Sequence, residues 1–157
     1  MATTRKKKAT GPWSAVFPSR DEQFQLKRMA LLREAARAFS ANGYHNTSLD
    51  DVAASLGVTK AALYYYVKSK QEILFECHML AMDLGDQALE YGRIHGKNAH
   101  DKITLFCQRY IELITGEMGS FAVLAEFNAL EAKRREIVLR RRDEFEEIFK
   151  AIVREGI

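Results

Sequence analysis

The residues best equipped for chemistry in this chain are Thr59, Lys60, Tyr64 and Tyr65, flanked by Thr47 and Ser48 on one side and Lys70 on the other. Lysine can donate to guanine O6 and N7 or to a phosphate, and threonine can cap a helix while reaching a phosphate or base edge. Phenolic hydroxyls suit phosphate oxygens, and a hydroxyl beside free amides at a helix start can bind one. Ala61 and Ala62 are small, so a helix carrying them can approach closely and offer a methyl to a thymine methyl. These types and spacings point to recognition of duplex DNA, with phosphate contacts dominant and affinity falling steeply with salt. They do not point to catalysis: His45, His78, His95 and His100 stand in no recognisable catalytic or metal-binding spacing, so no enzyme, metal or cofactor is expected.

Such groups need elements to position them, and the stretch TSLDDVAASLGVTKAALYYYVKSKQEIL supplies two helices joined by a sharp turn. In 48–56, Leu49, Val52, Ala53 and Leu56 recur at helical spacing, and Ser48 with Asp51 has the form of a reciprocal N-terminal cap. Gly57 can take the left-handed conformation that stops this helix, and Val58 can fill the space before the next. Thr59 can cap a short second helix, 60–67, whose outer face carries Lys60, Tyr64 and Tyr65; its size suits a major groove. Tyr66 is expected to pack inward or to lie at the domain seam. Ser69 and Lys70 begin a further helix.

The segment AARAFSANGYHNTSLDDVAASLGVTKAALYYYVKSKQEIL resembles the DNA-binding domain of the TetR family of bacterial repressors. An apolar helix ending in Phe39 is followed by Asn42-Gly43-Tyr44, Thr47-Ser48, Gly57-Val58-Thr59, Leu63-Tyr64-Tyr65 and Ser69-Lys70, all in family order. The resemblance implies DNA contacts from Thr47, Ser48, Thr59, Lys60, Ala61, Tyr64, Tyr65 and Lys70, the last closing on the backbone from the fourth helix. It also implies an all-α protein: a three-helix DNA-binding domain with a helix-turn-helix, then a helical ligand-binding and dimerisation domain.

The whole chain fits that division. Residues 1–70 hold twelve Lys/Arg against five Asp/Glu, a net +7, whereas 71–157 hold twelve against sixteen, a net −4. Only the first half is a nucleic-acid candidate. Residues 1–20 carry five basic residues, no acid and both prolines, and read as a flexible basic arm. The arm either adds DNA contacts or is a solvated tail, with Trp13 and Phe17 seeking cover. Residues 21–70 form the DNA-binding domain and 71–157 a regulatory domain. The first helix (21–41) should bury Met29, Leu32, Ala35, Ala36 and Phe39. The fourth (69–93) should bury Ile73, Leu74, Cys77, Leu80, Ala81, Leu84 and Ala88. The fifth (99–115) should bury Ile103, Phe106, Cys107, Tyr110, Ile111 and Ile114. A short helix over 120–130 and a long charged one over 131–155 follow. Cys77 and Cys107 are expected to be reduced core residues. With no signal peptide and no spanning segment, a bacterial cytoplasm fits and no membrane is expected.

For the second half the resemblance implies a pocket for a small hydrophobic inducer, here lined by Phe106, Tyr110, Met118, Phe121, Leu124 and Phe127. The same aromatic and aliphatic stripe is also what a plain helical core looks like. The cations Lys133-Arg134-Arg135 and Arg140-Arg141-Arg142 could receive the phosphates of an acyl-coenzyme A. The acids interspersed among them make a solvated, self-paired helix face the expected reading. The family continues past the seventh helix with two that build a four-helix dimer interface. This chain ends at Gly156-Ile157, so those helices, and the homodimer they form on a palindromic operator, are expected to lie outside it. The function implied is sequence-specific transcriptional regulation, most simply a repressor relieved by a small-molecule effector. The alternatives are a ligand-dependent activator or a regulator controlled by a protein partner.

Overall fold

The computed structural model describes residues 18–116 and 126–156. The arm with Trp13 and Phe17, most of the helix expected over 120–130, and Met118, Phe121 and Leu124 lie outside the described residues. Among the described residues all regular structure is helical: α1 (Arg20–Asn42), α2 (Leu49–Ser55), α3 (Lys60–Tyr64), α4 (Lys70–His95), α5 (Ala99–Thr115), a 3₁₀ turn (Phe127–Ala129) and α6 (Ala132–Arg154). None of these helices is long and apolar enough to cross a membrane.

Local chemistry sets the boundaries. Ser19 and Glu22 form a reciprocal cap at the start of α1, as do Ser48 and Asp51 at α2. Thr59, Ser69 and Asn98 cap α3, α4 and α5 through their side chains. Gly43 ends α1 at φ 81°, and Gly57 turns the chain between α2 and α3 at φ 65°, backbone that glycine adopts without a Cβ clash. Leu32, Ala35, Ala36 and Phe39 of α1 meet Val52 and Ala53 of α2, Leu63 of α3, Val67, and Ile73, Leu74 and Cys77 of α4 in one core, which Val138 of α6 joins. α4 therefore belongs to both halves of the molecule. It passes from this core to α5 and α6, which pack on its far portion.

Burial departs from expectation at several places, with Met29, Leu80 and Ala81 only partly covered. Cys107 is exposed, whereas Cys77 is buried as expected, with burial pushing its thiol well above the ordinary range. The apolar stripe of α5 is only partly covered: Ile111 is 57% exposed, and Ala99 is the one fully buried α5 residue among those described. A 3.6-residue period identifies an apolar face, but what lies against that face is a tertiary matter. Gly92 of α4 faces the backbone of Lys102 and Phe106, so α5 approaches α4 too closely there for a Cβ.

Candidate nucleic-acid interface

Three inward anchors hold the reading edge. Leu63 and Val67 are buried in the core, and Tyr66 packs at a tilt on Phe24 of α1 with ring centroids 5.0 Å apart. Tyr66 is thus half-buried against α1, turned inward as its position implied. Val58 does not become a buried plug: it stays 44% exposed and lines a cleft with Leu56, Ala62, Leu63 and Lys27. The opposite edge of α3 is free. Lys60, Ala61 and Ala62 are exposed, Tyr64 is 45% exposed and Tyr65 71%, the latter resting edge-on against Phe24.

The charged and hydroxyl groups at this edge are held in place. Lys60 Nζ pairs with Asp50 Oδ2 of α2 at 2.7 Å, which raises the lysine pKa and ties the two helices of the motif together at their outer side. Ser48 gives its hydroxyl to Asp51 at 2.6 Å and its amide at 2.9 Å, which holds the Asp51 carboxyl below the usual carboxylate range. Thr59 Oγ1 accepts from the Ala62 amide at 3.2 Å, leaving its hydroxyl hydrogen available. Lys70 extends from the first turn of α4 across the Tyr44 ring at 4.2 Å and toward His45 O at 3.5 Å; partial burial lowers its pKa.

Thr47 departs from expectation. Only 2% of it is exposed, and its hydroxyl faces two carbonyls, Ala38 O at 3.1 Å and Gly43 O at 3.0 Å. A hydroxyl has one hydrogen to donate, and here it is directed into the protein. Thr47 braces the entry to α2 and does not present its hydroxyl to a phosphate.

Sequence reasoning missed the supports behind this edge. Arg28 of α1 lies between Glu72 (3.5 Å) and Glu76 (3.3 Å) of α4, strapping the two helices. Tyr44 and Gln71 meet residues of the segment leading into α6, partners far away in sequence. Helical period carries no signal for such pairs.

In the second half, a cavity of about 290 Å³ is lined by Ala81, Met82, Gly85, Phe106, Tyr110, Arg142 and Phe145. Phe106 and Tyr110 stand where a pocket was expected, their rings stacked 5.8 Å apart. Phe127 is not part of the lining; it faces His78 edge-on and carries the Arg142 guanidinium 4.5 Å above its ring. The arginine run does not behave as one solvated face. Arg140 pairs along the surface with Glu136, but Arg141 bridges Asp83 and Asp86 of α4 at 2.5 Å each. Arg142 makes no ion pair among the described residues.

Comparison with known proteins rests on both halves. Residues 31–77 match the bacterial regulatory proteins of the tetR family, and 96–157 match the tetracyclin repressor-like C-terminal domain. The crystal structure of PfmR, a TetR family transcriptional regulator from Thermus thermophilus, is 32% identical with a TM-score of 0.67. That match covers 80% of this chain and 69% of PfmR. The chain belongs to the TetR family. Among curated TetR-type relatives, the fatty acid metabolism regulator protein of Bacillus subtilis is 25% identical over 121 residues, 77% of this chain and 60% of that protein. The regulator AcrR of Shigella flexneri is 35% identical over 71 residues, 45% of this chain and 33% of that one. A structure of AibR with isovaleryl coenzyme A and operator DNA shares the fold, with a TM-score of 0.69 at 24% identity over 80% of this chain and 69% of that one. The chain thus spans less than two thirds of the length of these curated relatives. The N-terminal TetR match contains α2, α3 and the start of α4, and so every residue of the reading edge.

Proposed function

We propose that this TetR family chain is a DNA-binding transcription regulator, with the edge of α3 entering a major groove. Thr59, Lys60, Ala61, Tyr64, Tyr65 and Lys70 would form the contact surface, and Ser48, exposed beside it, would join by exchanging its Asp51 partner for a phosphate. The observation that carries this reading is the pairing of buried anchors with a free outer edge: Leu63 and Val67 are enclosed, while Tyr64 and Tyr65 remain exposed beside Lys60. Aromatic hydroxyls and a lysine left in water on a rigid short helix suit phosphates and base edges. Catalysis is not part of the reading.

The division we assign is a basic arm (1–20), a reading domain (21–70) and a regulatory domain (71–157), in a protein of the bacterial cytoplasm that acts as a homodimer on a palindromic operator. Repression by occupying the operator, relieved by a small effector in the α4–α5–α6 cavity, is the mechanism proposed. The cavity is apolar apart from the Tyr110 hydroxyl and the Arg142 guanidinium, a composition suited to a hydrophobic acid or its coenzyme A thioester. The name of the B. subtilis relative and the isovaleryl coenzyme A bound by AibR support that class.

The test is binding of the chain, and of a Tyr64→Phe plus Lys70→Ala variant, to DNA flanking its own coding region, with salt varied and oligomeric state recorded. Saturable, salt-sensitive binding lost in the variant is expected. Equal binding by both proteins would rule out this edge as the reading surface.

A further inference from the structure

Tyr44, in the loop between α1 and α2, is held from four sides, partly by residues from the other end of the chain. Its amide donates to Glu126 Oε1 at 3.1 Å, and its hydroxyl accepts from Gln71 Nε2 at 2.9 Å. Its ring lies under the Lys70 ammonium at 4.2 Å and edge-on to Phe39 at 5.2 Å. Gln71 continues the link: Nε2 also donates to Ala129 O at 2.6 Å, and Oε1 accepts from the Glu131 amide at 3.1 Å. The amide of one side chain thus joins the reading domain to the connector 126–131 that leads into α6. Gly43 fits the same arrangement, since a Cβ there would stand 3.4 Å from Glu126 Oε1 on backbone already at φ 81°. On its other side the connector presents Phe127 to His78 and to Arg142, a cavity-lining residue.

We propose that Gln71 and Glu126 are positioning residues that transmit the placement of connector 126–131 to Tyr44, and through the Tyr44 ring to the Lys70 ammonium. Hydrogen bonds of this kind weaken steeply with distance and angle, so a small shift of the connector releases Tyr44 from it. An occupant that draws Arg142 off Phe127 acts at the far end of the same connector. The link stands on the distances above; its consequence for DNA rests on the reading of Lys70 as a phosphate contact.

The test compares the full chain with Glu126→Ala, Glu126→Gln and Gln71→Leu. Amide hydrogen exchange is followed at Ser48, whose N–H donates to the Asp51 carboxylate at the start of α2, and at Cys77 in the core of α4. With Glu126→Ala and with Gln71→Leu, exchange at Ser48 is expected to quicken by about tenfold with Cys77 unchanged, a local opening rather than global unfolding. Glu126→Gln keeps an oxygen acceptor and should stay within about twofold of the native chain. In parallel, Lys70→Ala is made in the native and Glu126→Ala backgrounds, and affinity for a mixed-sequence duplex is measured at low salt. The loss caused by Lys70→Ala should shrink by at least half in the Glu126→Ala background. Unchanged exchange at Ser48, or Ser48 and Cys77 quickening together, would overturn the proposal. So would an equal Lys70→Ala loss in the two backgrounds. If Lys70→Ala has no effect on DNA binding in the native chain, the DNA reading of Lys70 fails, and Ser48 exchange alone decides whether the link exists.

Discussion

Thr47 and Lys70 show how side chains of similar promise take different roles. Thr47 donates inward to Ala38 O or Gly43 O, so Thr47→Val should destabilise the fold by about 1 kcal/mol by removing the one hydrogen these partly buried carbonyls share. It should leave the salt dependence of DNA binding unchanged. Lys70→Ala should do the reverse, reducing the salt slope by about 1 with little change in the unfolding midpoint. Denaturant titration and salt-varied binding of both variants check the pair. His78 is a second residue whose role lies in the interior. Burial, with the Arg142 charge adding to it, holds its imidazole down to about 4 from an ordinary 6.5. The unfolded chain therefore takes up a proton first as pH falls. Stability from this group is complete above pH 6.5 and is lost as pH falls from 6.5 toward 4, by about 3 kcal/mol at the bottom of the window. Urea midpoints across that window should show the slope in the native chain and a shallower one in His78→Phe.

At the scale of elements, α4 carries the architecture because it contributes to both the head core and the second half. Its first turns and its middle are tied differently. Near the head, Arg28 reaches Glu72 and Glu76 across from α1; farther along, Arg141 reaches Asp83 and Asp86 from α6. Neighbouring arginines allow a controlled comparison. Arg141→Ala leaves two carboxylates facing each other without a cation and should cost about 1–2 kcal/mol. Arg140→Ala removes only an exposed pair along one helix and should cost under about 0.5 kcal/mol. Thermal unfolding of the two variants in low and high salt distinguishes them. The helix starts themselves were legible beforehand, because Ser48, Thr59 and Ser69 act on amides three residues away. The partial exposure of α5 was not, because its stripe could be read only as apolar.

At the scale of the whole molecule, the cavity lies against the middle of α4, the helix whose first turn carries Lys70 of the reading edge. If the cavity takes a hydrophobic acid, decanoate should bind more tightly than decanol to the native chain. Arg142→Gln should lose roughly tenfold for decanoate and little for decanol, as seen by calorimetry. Equal affinities for the two compounds in the native chain would remove the acid from the proposal. What the sequence alone determined is the class of fold, the helix-turn-helix, its caps and the outward tyrosines. Each of these depends on residues within one or two helical turns of one another. The tertiary structure decided that Thr47 points inward, that Cys107 is exposed, and that three consecutive arginines have three different surroundings. It also decided that Gln71 meets Ala129 and Glu131. The Gln71 contacts join groups about sixty positions apart, and even the nearby partners of Thr47 are set by how the chain folds back on α1, not by any periodic pattern along it.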